Sequence, residues 1–291
     1  MLIIQTLIYG LAQGSLYALL AAGFALICGI LKMITFAHGE VFMVGAFVAL
    51  GVIVGLGLPP AVGMAAAMAA AMALGVFIER VAFRPFRGGS SMSPALITIG
   101  FSIALQALVL LLAGADTKPF PYGGGEFKLT VGSVSVSGIE LTVILASFIL
   151  VALLQLFIRK TSWGLALRAA SMHFDAARLM GVNTNMTVAL AFGLASMLAG
   201  AGGLLFGAYY GAFYPQMGVV MAFKALAAAT LGGITSVSGA VAGGIMLGVI
   251  ESLSVLFISS GYKDIIAFSI LILVLLFKPS GLLGRFEEEK V

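Results

Sequence analysis

The chain has 291 residues, 62% of them hydrophobic and 9% charged, with a net charge of +4 and a mean hydropathy of +1.18. A soluble domain carries roughly a quarter charged residues, so a water-soluble enzyme or domain is excluded. The one cysteine, Cys28, excludes an internal disulfide and any thiolate metal cluster.

Residues 1–31, 41–78, 88–115, 141–158, 179–223 and 225–250 contain no Asp, Glu, Lys or Arg. A helical span needs about 20 mostly apolar residues, so these runs predict an all-α, polytopic transmembrane bundle. Long unbroken runs are not the alternating segments of a membrane β-barrel. In chain order the predicted spans are 6–28, 41–57, 61–78, 94–113, 141–158, 186–209, 237–256 and a short one at 265–277. Leu58-Pro59-Pro60 separates the second from the third, because proline cannot continue a helix. Tyr262 and Lys278 extend the last towards the membrane interfaces.

Lys and Arg in short loops orient such a chain. "RVAFRPFR" (80–87) and the loop 159–185 are basic, and the tail adds Lys278, Arg285 and Lys290, which places all three inside the cell. The charge-balanced loop 114–139 goes outside, as does the N-terminus. Eight spans from an outside start end outside, against the inside placement of the tail. The segment 217–234, interrupted by Lys224 and Gly232-Gly233, must therefore cross as well. A broken element at that depth is tolerated where protein or a water-filled cavity surrounds it.

Five stretches carry candidate chemistry. In "ITFAHGEVFM" (34–43), His38 and Glu40 lie two apart and share no helix face. With His173 in another loop and no HExxH pattern, a helix start fits better than a metal site, with Glu40 at the positive terminus. Lys224 and Glu251 are ionisable residues in apolar surroundings, read either as a buried ion pair or as pathway groups meeting a solute. In "LGGITSVSGAVAGGIMLG" (231–248), Gly239 with Gly243 and Gly244 with Gly248 suit close helix packing, beside Ser236 and Ser238. Gln13, Ser15 and Tyr17 bring polar groups into the first span. No Gly is followed by Lys, so there is no phosphate-cradling loop. The loop 159–183 holds Phe174, Ala177 and Gly181 at i, i+3 and i+7 beside Arg178. This is a short amphipathic helix for a partner's groove or for lipid headgroups.

"DAARLMG" (175–181) resembles the Glu-Ala-Ala-x3-Gly loop by which permeases of ABC importers contact their ATPases, with Asp175 in the Glu position. "GLAQGSLYALLAAGFALICGILKMITFAHGEVFMVGA", "IERVAFRPFR", "WGLALRAA", "MGVNT", "FKALAAATLGGITSVSGAVAGG" and "FKPSGLLGR" look, in order, like the first of the two permeases of branched-chain amino acid importers. The resemblance implies that residues 1–291 form one permease domain with about eight spans and no cofactor of its own. It also implies partners: a second homologous permease, two cytoplasmic ATPases that bind ATP and Mg, and a periplasmic or lipid-anchored binding protein. Relatives carry urea or short amides, which remain alternative solutes. Arg168, Asp175, Ala176, Ala177, Arg178 and Gly181 would then form the coupling helix and its rim. Gln13, Ser15, Tyr17, Lys224, Ser236, Ser238 and Glu251 would line the pathway, and His38 and Glu40 would shape the inner edge. In the competing reading, a secondary transporter driven by an ion gradient, Glu40, Lys224 and Glu251 are the coupling groups.

Overall fold

The computed structural model describes residues 2–86, 92–121, 127–131, 134–257, 259–278 and 281–282. The tail charges Arg285 and Lys290 and the acid Glu126 fall outside them. Eleven α-helices run in chain order among the described residues: α1 (Leu2–Leu31), α2 (His38–Leu50), α3 (Pro60–Ile78), α4 (Met92–Ala113), α5 (Gly138–Lys160), α6 (Ser162–Met172), α7 (Phe174–Leu179), α8 (Thr184–Tyr210), α9 (Met217–Gly232), α10 (Val237–Phe257) and α11 (Lys263–Phe277). π-helical turns extend α2 over Gly51–Gly55 and α3 over Glu79–Phe83. Seven helices are long and apolar enough to cross a bilayer, and α9 is a shorter apolar helix. Every predicted span falls within one of these helices or its π extension, except that the second runs two residues past Gly55.

Contacts fix the two ends of the bundle. At one end the start of α1 is clamped to a small hairpin, β2 (Lys128–Val131) with β3 (Val134–Ser137), after a shorter strand β1 (Lys118–Pro119). Gln5 donates to the Ser135 carbonyl at 2.7 Å and accepts from its amide at 3.0 Å. Strand β1 pairs there with β4 (Ala212–Phe213), which follows α8. At the other end the close of α1, helix α6 and the α9–α10 turn enclose one cavity, lined by Gly29, Arg168 and Thr235 among others. The Leu282 amide bonds the Leu231 carbonyl there too, at 2.8 Å. Among the described residues, seven long helices run between these ends; the shorter α9 starts beside the first turn of α2, where a Cβ on Gly39 would come within 2.1 Å of the Gly218 carbonyl oxygen, and closes at the α9–α10 turn. Its 16 residues span only about 24 Å at 1.5 Å per residue. The break lies at 233–236, where Gly233 has φ +117°; Lys224 is inside unbroken helix.

Helix α1 is the axis of the bundle: 94% of its most apolar window is buried, against 11% for α4. Small residues permit this. Gly10 and Gly14 meet the α10 backbone, and Gly23 meets His38 and the Ala195 carbonyl. Close approach of this kind substitutes for the hydrophobic effect, which lipid does not provide between helices.

Helix α5 starts with a capping box. The Ser137 hydroxyl accepts from the Ile139 amide, and Glu140 accepts from the Ser137 amide at 3.0 Å. Ser137→Ala is expected to cost about 1 kcal/mol, read as a fall in Tm of about 2–4 °C.

Candidate functional site

Four helices bring five polar side chains together. Lys224 on α9 lies 3.1 Å from Glu251 Oε1 on α10 and 2.8 Å from Asp264 Oδ1 on α11. Its third donor reaches the Tyr17 hydroxyl on α1 at 3.2 Å. Tyr17 donates to Glu251 Oε2 at 2.7 Å, and Gln13 Nε2 donates to the same oxygen at 2.7 Å and also contacts the Tyr17 hydroxyl. An ammonium carries three protons, and here each faces an acceptor. Glu251 is 0% exposed and Lys224 7%, whereas the Asp264 side chain is 57% exposed. One cation thus faces two carboxylates, one buried and one at the surface of this chain.

The glycines of α10 explain how charges so far apart in sequence meet. Gly239 and Gly243 face α9, where a Cβ on Gly243 would come within 2.1 Å of the Ala228 carbonyl oxygen. Gly244 and Gly248 face α1, where a Cβ on Gly248 would come within 2.3 Å of Gly14 Cα. The two stripes seat α10 between α9 and α1, with Glu251 one turn beyond Gly248.

The other hydroxyls predicted for the pathway lie elsewhere. Ser15 bonds its own helix at the Leu11 carbonyl, 2.7 Å away, and faces Ser147 and Val151 of α5. Ser236 and Ser238 sit at the α9–α10 turn, 3.3 Å apart. Ser238 there lines a cavity of about 200 Å³ with Arg159 and Arg168. Gln13, Tyr17, Lys224 and Glu251 form one cluster; Ser15, Ser236 and Ser238 do not join it.

His38 and Glu40 occupy the first turn of α2. Both are buried. His38 packs edge-on against Phe24 at 4.8 Å, and its Nε2 has no hydrogen-bond partner among the described residues. Glu40 Oε1 accepts from Ser102 on α4 at 3.1 Å, and its carboxylate abuts Gly218 in the first turn of α9. The acid therefore lies where two helix N-termini meet, and their positive ends favour it. Among the described residues no group of three or more His, Cys, Asp or Glu could hold a metal ion.

The loop between α5 and α8 folds as two helices. His173 Nδ1 accepts from the Ala176 amide at 3.4 Å and so caps α7. The predicted apolar face reaching Gly181 is cut short, because α7 ends at Leu179. Gly181 instead takes φ +88°, and the Val182 amide bonds Ala177 while the Gly181 amide bonds Arg178. This is a glycine-closed Schellman ending. Asn183 then caps α8, accepting from the Met186 amide at 3.1 Å. Ala177 faces inward and Asp175 outward. Leu179 and Met180, each 87% exposed, form a knob that sequence reasoning missed. Two adjacent apolar residues beside the Asp-Ala-Ala run were its available signal. Asp264 was missed as well, since an acid in the first turn of a helix needs no other explanation.

A family model described as "Branched-chain amino acid transport system / permease component" matches residues 6–275. The high-affinity branched-chain amino acid transport system permease protein BraD of Pseudomonas aeruginosa is 41% identical over 300 residues, covering 99% of this chain and 98% of that protein. The corresponding protein LivH of Escherichia coli is 38% identical over 303 residues, covering 99% and 97%. A solved structure of PsaBC from Streptococcus pneumoniae in complex with Fab aligns over 94% of this chain and 91% of that one, with a TM-score of 0.50 and 16% identity, a likeness of fold alone. With its long apolar helices, its glycine-closed loop helix and relatives of this kind along its whole length, the chain belongs to the family of branched-chain amino acid transport system permease components.

Proposed function

We propose that this chain is one of two permease subunits of an importer that carries branched-chain amino acids across the inner membrane, driven by ATP hydrolysis in separate subunits. In this reading α6 and α7 face the cytoplasm together with the basic residues of 159–185 and the C-terminal end of the chain. The N-terminus and the β2–β3 hairpin face outside. A binding protein delivers the solute there, and the second permease completes the pathway.

The observation that carries the proposal is the knob of Leu179 and Met180, held out beside Asp175 by the glycine-closed end of α7. Exposed apolar residues on a short rigid helix suit insertion into a groove on another protein. Ala176 and Ala177 keep the helix slim, Gly181 turns the chain away behind it, and Arg168 and Arg178 supply charged rim contacts. Closure of the ATPases would push this helix, and through α6 and α8 the bundle. Gln13, Tyr17, Lys224 and Glu251 would be the polar part of the pathway within the bundle, and His38 with Glu40 would steady its inner half where α2 meets α9.

The test is ATPase activity of the complete importer in nanodiscs with leucine-loaded binding protein. Leu179→Asp with Met180→Asp is expected to reduce stimulated hydrolysis at least ten-fold and to release the ATPases on purification, while the permease unfolds at its usual temperature. Retention of full stimulation by that variant defeats the coupling assignment. Stimulation by urea or an amide in place of leucine defeats the solute assignment alone.

A further inference from the structure

We propose that the Lys224–Asp264 ion pair is where the pathway receives an α-amino acid as a zwitterion. The solute enters between the two charges, its carboxylate taking Lys224 Nζ and its ammonium taking Asp264. This rests on the amino acid reading above and adds the groups that recognise the backbone of the solute.

The charge balance is the first reason. Glu251 already neutralises Lys224, and Gln13 and Tyr17 hold that carboxylate from its far side. Asp264 is thus surplus to the buried pair. A second carboxylate beside one lysine leaves a surplus negative charge at the open edge of the cluster, which attracts a further cation. Insertion of a zwitterion sets four charges in alternation: lysine, solute carboxylate, solute ammonium, aspartate. Until then each half of the pair serves as a stand-in for the solute.

Exposure is the second reason. The Asp264 side chain is 57% exposed and Lys224 is 7% exposed, so one half of the pair is open at the surface of this chain. Asp264 sits in the first turn of α11, whose positive end stabilises its carboxylate after the lysine lets go.

The third reason is the setting. Ala267 is the one buried side chain of α11 among the described residues, so this helix is lightly held and yields at small cost. Phe223, next to Lys224, packs edge-on against Phe268 at 6.1 Å. Phe268 is one turn from Asp264 and so shares its face of α11. The aromatic pair offers an apolar wall beside the charges, suited to a branched aliphatic side chain. Urea or a neutral amide has no charges with which to separate the pair. A carboxylic acid without an ammonium repels Asp264, and an amine without a carboxylate repels Lys224.

The experiment compares the complete importer with its Asp264→Asn variant in proteoliposomes, supplied with leucine-loaded binding protein. Leucine taken up per ATP hydrolysed is measured together with thermal unfolding. The expected result is a fall of at least ten-fold in that ratio, with Tm lowered by no more than about 3 °C, as for loss of a half-exposed pair. Asp264→Cys should lose uptake similarly. Its modification by a sulfonatoethyl thiosulfonate should restore uptake, and modification by the aminoethyl reagent should not; Cys28 is buried, and the wild-type importer treated with each reagent is the control for thiols elsewhere. An unchanged ratio in Asp264→Asn overturns the proposal. A fall in Tm well beyond 3 °C accompanied by equal losses of uptake and hydrolysis makes the pair structural and also overturns it. Failure of the wild-type importer to move leucine refutes the solute reading itself, and is distinguishable because it shows before any variant is made.

Discussion

Glu251→Ala is expected to destabilise the chain by about 3–5 kcal/mol, the cost of leaving a buried charge without its partner. The substitution strands more than Lys224. Gln13 and Tyr17 both donate to the lost oxygen, and neither has water at hand inside the bundle. Asp264 keeps Lys224 from being wholly unpaired, so the loss falls short of that for an isolated buried ion. The double variant Lys224→Met, Glu251→Leu should recover the part of the loss that comes from the stranded lysine, because apolar groups of similar volume replace a buried pair at little net cost, while Gln13 and Tyr17 stay without their acceptor. Its transport should remain lost. Thermal unfolding in detergent gives the first result and leucine uptake the second. If Glu251→Ala unfolds no earlier than Asp264→Asn, Glu251 is not what holds the cluster together.

Gly248→Val should be more damaging still. Its Cβ would stand 2.3 Å from both Cα and N of Gly14, where no rotamer change can relieve it because the obstacle is backbone. The α1–α10 seam must open, which also draws Glu251 away from Gln13 and Tyr17. Overpacking typically costs 1–3 kcal/mol; with a polar cluster broken as well, about 5 kcal/mol is expected, enough to prevent recovery of a monodisperse protein from membranes. Gly100→Ala on α4 is the matched control. A Cβ there meets nothing within 4 Å, so normal yield is expected. Equal yields of Gly248→Val and Gly100→Ala would mean that helix contact at this seam is not needed for folding.

Those two glycines also mark how far the sequence could be read. The four-residue spacing of Gly239 with Gly243 and of Gly244 with Gly248 announced close packing, because small residues at i and i+4 share a helix face. Nothing local announced that the stripes address different neighbours. That depends on α10 meeting a helix made more than 200 residues earlier. Lys224 and Glu251 were conspicuous as charges in apolar runs. Asp264 was hidden beside Lys263, where acid and base look like ordinary interface residues. The hydroxyls could not be placed from sequence for a simpler reason: Ser15 bonds its own helix, and Ser236 donates or accepts across a turn, so neither joins the cluster. Charge parity singled out 217–234 as an apolar element beyond the eight predicted spans, and α9 occupies that segment. The extent of α7 was not legible, because the apolar period continues to Gly181 while the backbone of that glycine turns away.

The central place of α1 has a consequence for how the protein is made. Synthesis proceeds from the N-terminus, so α1 enters the membrane before every other described helix, with Gln13 and Tyr17 facing lipid. Their acceptor Glu251 lies 238 residues after Gln13. At roughly 5–20 residues per second it emerges about 10–50 s later. During that interval the innermost helix of the finished bundle is its most exposed. Biogenesis of this protein therefore includes a waiting period in which the insertion machinery, rather than the chain itself, must shelter the polar face of the first helix. Chains truncated before α10 should be cleared by membrane proteases as orphans.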